Sequence, residues 1–169
     1  MKTVNVFSCI LLLCVLALPV LAQGDRGKAS LNVTGGTVSV DYGRPSLKGR
    51  DMLSQLTVGN SWRMGMNQST TFTTPVDLTF GSVKIAKGSY SLFLLKSGAD
   101  SYQLVFNSQT GQWGTQHDTS KDVAKVDTKK SDLASPVETF TIELKSASGG
   151  GIFQMSWGKL ELTATFKAG

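Results

Sequence analysis

Cysteine is absent from most of this chain: the only two, Cys9 and Cys14, sit in an apolar run at the N-terminus. Histidine occurs once, as His117, and glutamate only three times. Beyond residue 22 this inventory excludes disulfide bridges, a Cys–His nucleophile and any structural or multi-histidine zinc site. Also missing are a block of like charges and a sustained helical period. The formal charge of +5 is spread thinly along the chain. That argues against the basic stripe a nucleic-acid partner needs.

The N-terminus reads MKTVNVFSCILLLCVLALPVLAQG. One cation, Lys2, precedes an apolar run from Val6 to about Ala22, and Val20-Leu21-Ala22 forms a small-residue cleavage site. This layout predicts a secretory signal peptide over residues 1–22, removed before Gln23. The run falls short of the ~20 residues a spanning helix needs, and Pro19 interrupts it, so no membrane span is expected afterwards. Neither cysteine follows the cleavage point, which excludes a lipid anchor. Cleavage leaves 147 residues with charge +4, enough for a single domain over residues 23–169. An exported protein, periplasmic or extracellular, is expected, with no cofactor.

Apolar residues alternate with period two almost throughout. KASLNV offers Ala29, Leu31 and Val33 to one face, and TVSVDY offers Val38, Val40 and Tyr42. VDLTF, YQLVF, TFTIEL and KLELTATF repeat the pattern, while SYSLFLL is apolar on both faces, as a central strand would be. Glycines punctuate these runs at 35–36, 81, 88, 98, 111, 149–151 and 158. Nine or ten strands are predicted, with at most one short helix near Asp51–Leu56. The fold class is all-β, an antiparallel β-sandwich with jelly-roll-like or barrel-like closure as variants. Two regions break the rhythm: Gly43–Thr70, and a polar stretch from Asn107 to Pro136 with a strand expected near Val123–Val126.

The candidate chemistry lies in those irregular regions. In GRPSLKGR and GNSWRMGMNQSTTF, Arg44, Lys48, Arg50 and Arg63 supply cations. Trp62 offers a flat surface, and Asn67, Ser69 and Thr70 offer neutral donors and acceptors. A guanidinium fork suits carboxylate, phosphate or sulfate and stacks on indole. The competing reading is that strand-end arginines bond loop carbonyls or pair with an acid such as Asp41. Trp113 in TGQWGT carries the same ambiguity, anchor or platform, whereas Trp157 is expected in the core. His117 lies close to Asp118 and Asp122 but is expected to be a solvated loop residue rather than a metal ligand. No G-x-S-x-G elbow supports a triad built on it. The single S-x-x-K match, Ser156–Lys159, spans a strand-turn-strand junction where the two side chains need not meet.

Taken in order, DYGRPSLKGR, GNSWRMGMNQSTTFTT, KGSYSLF and NSQTGQWGT resemble a bacterial exported family known as domain of unknown function 2911. The resemblance runs from about Val38 to Phe166. Met66 stands where the family pattern places a small residue after its tryptophan-arginine and glycine. The resemblance implies a secreted bacterial source and a β-rich fold, and it brings no catalytic residues. The expectation is a non-enzymatic binding module, with Arg44, Lys48, Arg50, Trp62, Arg63, Asn67 and Trp113 as ligand residues. Its ligand would be a small anion or carbohydrate, or its partner an envelope protein. The alternatives are a hydrolase using His117 or a cation-lined oxyanion site, and a purely structural envelope protein.

Overall fold

Alternating side chains need two sheets to bury one face of every strand, and two antiparallel sheets are found in the computed structural model. It describes residues 25–169; the leader and the cleavage point after Ala22 lie outside the described residues. In chain order the strands begin with β1 (Arg26–Val33), β2 (Gly36–Gly43), β3 (Ser61–Trp62), β4 (Thr70–Thr74), β5 (Leu78–Phe80) and β6 (Val83–Ile85). They continue with β7 (Gly88–Lys96), β8 (Tyr102–Asn107), β9 (Asp122–Asp127), β10 (Lys129–Ala147) and β11 (Gly150–Ala168). The larger sheet runs β1-β2-β4-β7-β8-β9, with the two-residue β3 pairing the far end of β7. The smaller runs β10-β11-β5-β6.

The core lies between the sheets. Val38, Val40, Phe72, Leu92, Leu94, Leu104 and Phe106 come from the large sheet, and Phe140, Phe153, Leu162 and Phe166 from the small one. Each such side chain stabilises by roughly 1.5–3 kcal/mol on burial. The sheets also meet at their margins: β1 lies against β10 and β6 against β9. Tyr42 Oη donates across to the Ile142 carbonyl at 3.2 Å.

The structure departs from expectation at four places. Eleven strands form among the described residues, one more than the upper expectation, because the short β3 has no alternation to reveal it. Asp51–Leu56 is a run of turns anchored by buried Leu53, and the short helix lies instead at Thr119–Lys121, a single 3-10 turn. The polar Lys129–Pro136 stretch belongs to β10, whose pairing with β11 shifts register between Asp132 and Val137 and again before Thr141. Such bulges accommodate Pro136 within a strand. Likewise Gly158 is not a strand junction: β11 runs through it with φ at +60°. Trp157 is in the core, at 3% exposure.

Candidate functional site

β7 is the central strand, and its second face decides what happens above it. Leu92 and Leu94 enter the core, so Ser91 and Phe93 point the other way. On β8, Val105 and Asn107 likewise oppose Leu104 and Phe106. All four outward residues are nevertheless buried. What covers them is the loop between β8 and β9.

Buried polar bonds hold that loop in place. Ser91 Oγ donates to Ser69 Oγ at 3.0 Å, and Gln112 Nε2 donates to Ser91 Oγ at 3.1 Å. Ser69 N–H donates to the Gln112 carbonyl at 3.0 Å, and Gly114 N–H to that of Asn67 at 2.8 Å. Asn107, fully buried, donates to the Asp118 carbonyl and to Asp122 Oδ1, both at 2.8 Å, while accepting from Gln109 N–H at 2.9 Å. A buried amide with every bond satisfied costs little, and removing one partner strands the others.

His117 is thereby laid flat on Phe93, ring centroids 3.7 Å apart and nearly parallel at 7°. Its Nε2 bonds to Asp122 Oδ1 at 2.8 Å, and both side chains are only 13% exposed. His117 is therefore not the solvated loop residue the sequence suggested. Asp118 is not its partner. That carboxylate accepts from Ser120 N–H at 3.1 Å and Ser120 Oγ at 2.6 Å, capping the 3-10 turn. The Ser120 hydroxyl, then its N–H, hold the Asp118 carboxyl below the ordinary carboxylate range, with Lys121 adding to the effect.

Beside the imidazole opens a cleft of about 300 Å³, lined by Ser61, Trp62, Arg63, Phe93, Gly114, Thr115 and His117. A wider, more open hollow of about 500 Å³ shares Thr115 and His117 with the cleft and is otherwise lined by Gln109, Gln116, Asp118 and Lys121. Arg63 packs on Gly114, where an added Cβ would come within 2.9 Å of Arg63 Cδ. Among the described residues its guanidinium has no acceptor and no ion-pair partner, and Arg44 Nε is the one side-chain nitrogen buried without a bond. The free N–H groups of Arg63 and the Nδ1 of His117 therefore reach solvent. Trp62 is half-buried, stacked on Trp157 at 5.1 Å and edge-on to Phe140 at 5.0 Å, which fixes the strand that carries Arg63. The arrangement offers an unpaired cation and an oriented imidazole beside an apolar ring.

A family profile described as "protein of unknown function (DUF2911)" matches residues 25–166. The chain belongs to this family. Neither the curated proteins nor the solved structures contain a match.

In this DUF2911 protein the segments that carry the resemblance meet in space. GNSWRMGMNQSTTF supplies β3, Arg63, Ser69 and β4, KGSYSLF supplies β7, and NSQTGQWGT supplies the covering loop. DYGRPSLKGR joins them backbone to backbone. A Cβ on Gly43 would sit 2.2 Å from the Met66 carbonyl oxygen, and one on Gly65 would sit 2.9 Å from the Gly43 oxygen. Met66 fills its position without hindrance because its main chain, not its side chain, makes that approach.

The candidate residues divide between two places. Trp62 and Arg63 line the cleft, and Asn67, in the left-handed region at φ +62°, holds Gly114 through its carbonyl. Trp113, half exposed, sits next to Gly114 with its backbone tied to Gln116. Arg44, Lys48 and Arg50 lie elsewhere, in a strap that crosses from β2 to β10. Leu47 N–H donates to the Glu138 carbonyl and Phe140 N–H to that of Pro45, both at 2.9 Å. Lys48 N–H donates to Glu138 Oε1 at 2.9 Å. Arg44 turns to Asp25 at 3.4 Å, and Arg50 Nε contacts the Leu47 carbonyl at 3.4 Å. Asp41 is taken by Arg26, not by Arg44. Sequence reasoning missed Arg26, and it missed Phe93 and Asn107 as part of the frame of His117, naming Asp122 only alongside Asp118. The doubly apolar SYSLFLL run was the available signal, since an apolar outer face must be covered.

Proposed function

We propose that this is an exported, non-enzymatic binding module whose Arg63 cleft takes a small anionic or sugar-like ligand. The observation that carries the reading is Arg63 in the cleft wall, its side-chain stem lying against Gly114 and its guanidinium left with no acceptor among the described residues. An unpaired fork is ready for carboxylate, phosphate or sulfate. Export rests on the leader alone and is checked by mass spectrometry of the secreted chain, expected to begin at Gln23; a retained leader contradicts it. Ligand binding is checked by melting wild type and Arg63→Gln against acetate, sulfate, phosphate and a uronic acid. At least one is expected to raise Tm for wild type only. Equal rises in both proteins, or none in either, overturn the reading.

A second reading is favoured by the His117–Asp122 pair: a hydrolase in which a carboxylate orients the imidazole as general base. Turnover of ester substrates by wild type and its loss in Asp122→Asn would support it. Turnover that survives His117→Gln would remove the imidazole from the mechanism.

A further inference from the structure

We propose that His117 is the second anion-binding group of this cleft, and that the ligand carries a tetrahedral oxyanion, a phosphate or sulfate group, held between Arg63 and a protonated imidazole. This rests on the anion-binding reading of Arg63 and goes further by assigning a second residue, a ligand class and a proton.

Four observations converge on His117. Its ring is fixed by the parallel stack on Phe93 at 3.7 Å. Its Nε2 is committed to Asp122 Oδ1, and Asn107 holds that oxygen from its far side. The remaining nitrogen, Nδ1, has no partner among the described residues and is not buried without one, so it reaches solvent, and the ring lines both the cleft and the neighbouring hollow. Arg63 borders that same cleft.

The donor set selects the ligand. An arginine fork takes two oxygens in one plane. A planar carboxylate held in that way offers a second donor only its remaining in-plane lone pairs, whereas a tetrahedral oxyanion also presents whole oxygens outside the plane of the fork. A protonated imidazole supplies that donor at Nδ1, taking its proton from solvent as the anion binds. The charged groups around the ring are Asp122 at Nε2, Arg63 across the cleft, and Asp118 with Lys121 in the neighbouring hollow. Phe93 beneath carries no charge. Asp118 and Lys121 pair with each other at 3.6 Å, leaving Asp122 and the incoming anion to balance Arg63 and the imidazolium.

The test is calorimetric titration with sodium sulfate, inorganic phosphate and sodium acetate from pH 5 to pH 9. Sulfate stays ionised over that range, so its pH profile reports on the protein alone. Wild type is expected to bind sulfate and phosphate more tightly than acetate, with sulfate affinity falling as pH rises through the range where imidazoles titrate. His117→Phe keeps an aromatic ring on Phe93. It is expected to bind sulfate about tenfold more weakly or worse at acid pH, with a flat profile. Asp122→Asn keeps the imidazole but removes the carboxylate that fixes its Nε2, so it is expected to weaken sulfate binding at acid pH and flatten the profile; it decides the matter alone if His117→Phe does not fold. Phosphate outcompeting sulfate would point to a phosphate ester as the ligand, and the reverse to a sulfate ester. A flat wild-type profile, or an unaltered profile in Asp122→Asn, overturns the role of His117 while anion binding through Arg63 stands. No binding of any probe overturns both.

Discussion

Arg44, after Tyr42-Gly43, and Arg63, between Trp62 and Met64-Gly65, occupy similar-looking places in the sequence, yet they meet different surroundings. Arg44 sits in the strap between β2 and β10, its main chain bonded to Asp25 and its guanidinium turned toward the same residue. Arg63 sits beside the covering loop of the large sheet, packed on Gly114, with nothing to accept its protons. The difference teaches that a cation's neighbours in space, not in sequence, decide whether it is occupied. In the strap the cations are passengers, because main-chain bonds to Glu138 and Phe140 do the holding. At the cleft the frame is built from buried serine, glutamine and asparagine, and the cation is left over.

Each half of the comparison can be broken separately. The largest effect is expected at Gly43→Ala, where the new methyl meets the Met66 carbonyl oxygen and neither backbone can yield. A loss of about 3 kcal/mol in chemical denaturation is expected, since overpacking against fixed atoms costs at the upper end of its range. A loss below about 0.5 kcal/mol, the range of ordinary surface substitutions, would show that strap and cleft are not joined there. Next comes Asn107→Ala, expected to cost roughly 2 kcal/mol by stranding the Asp118 carbonyl and the Gln109 N–H. It should also weaken anion binding, because it releases Asp122 and with it His117.

The paired arginine changes come third. Arg44→Gln and Arg63→Gln are each expected to cost less than about 1 kcal/mol, as exposed or unpaired cations do. Only Arg63→Gln should lose the rise in Tm with sulfate. If Arg44→Gln loses it too, the two loops act as one site and the contrast drawn between them fails.

The smallest effect concerns Asp118. Its carboxyl is held below the ordinary value of 3.8, first by the Ser120 hydroxyl and then by the Ser120 N–H. A depressed folded value means stability that is present above pH 3.8 and lost as pH falls through the folded value. Melting of wild type and Asp118→Asn should differ slightly near pH 6 and converge in strong acid. A gap that persists at pH 2 would assign the difference to something other than this titration.

Much of the fold was legible because burial on one face writes itself into the sequence as alternation. Val38, Val40 and Tyr42 in β2, or Leu104 and Phe106 in β8, can be read directly. β3 could not be read, because two residues carry no period. The polar start of β10 was hidden for a different reason: Lys129–Pro136 exposes much of its surface and bulges, so neither burial nor register leaves a trace. The same holds for the candidate site. Trp62 and Arg63 stand out as residue types, but the partner of His117 is chosen by the 3-10 turn at Thr119–Lys121, which turns Asp118 inward on Ser120 and leaves Asp122 facing the ring. Spacing alone made Asp118 and Asp122 equal candidates. Pairing of Asp41 with Arg26 rather than Arg44 follows from the β1–β2 register, which sets Arg26 opposite Gly43; the glycines at 35–36 mark the hairpin, but which residue of the turn opens it was not read.

The central claim is that Arg63 is free for a ligand and Arg44 is not. Side-chain ¹⁵Nε resonances of arginine report on it directly during titration with sulfate. The account expects the Arg63 Nε–H signal to shift in a saturable way, while the Arg44 signal, from a nitrogen already buried, stays in place. A saturable shift at Arg44 with Arg63 unmoved would contradict it.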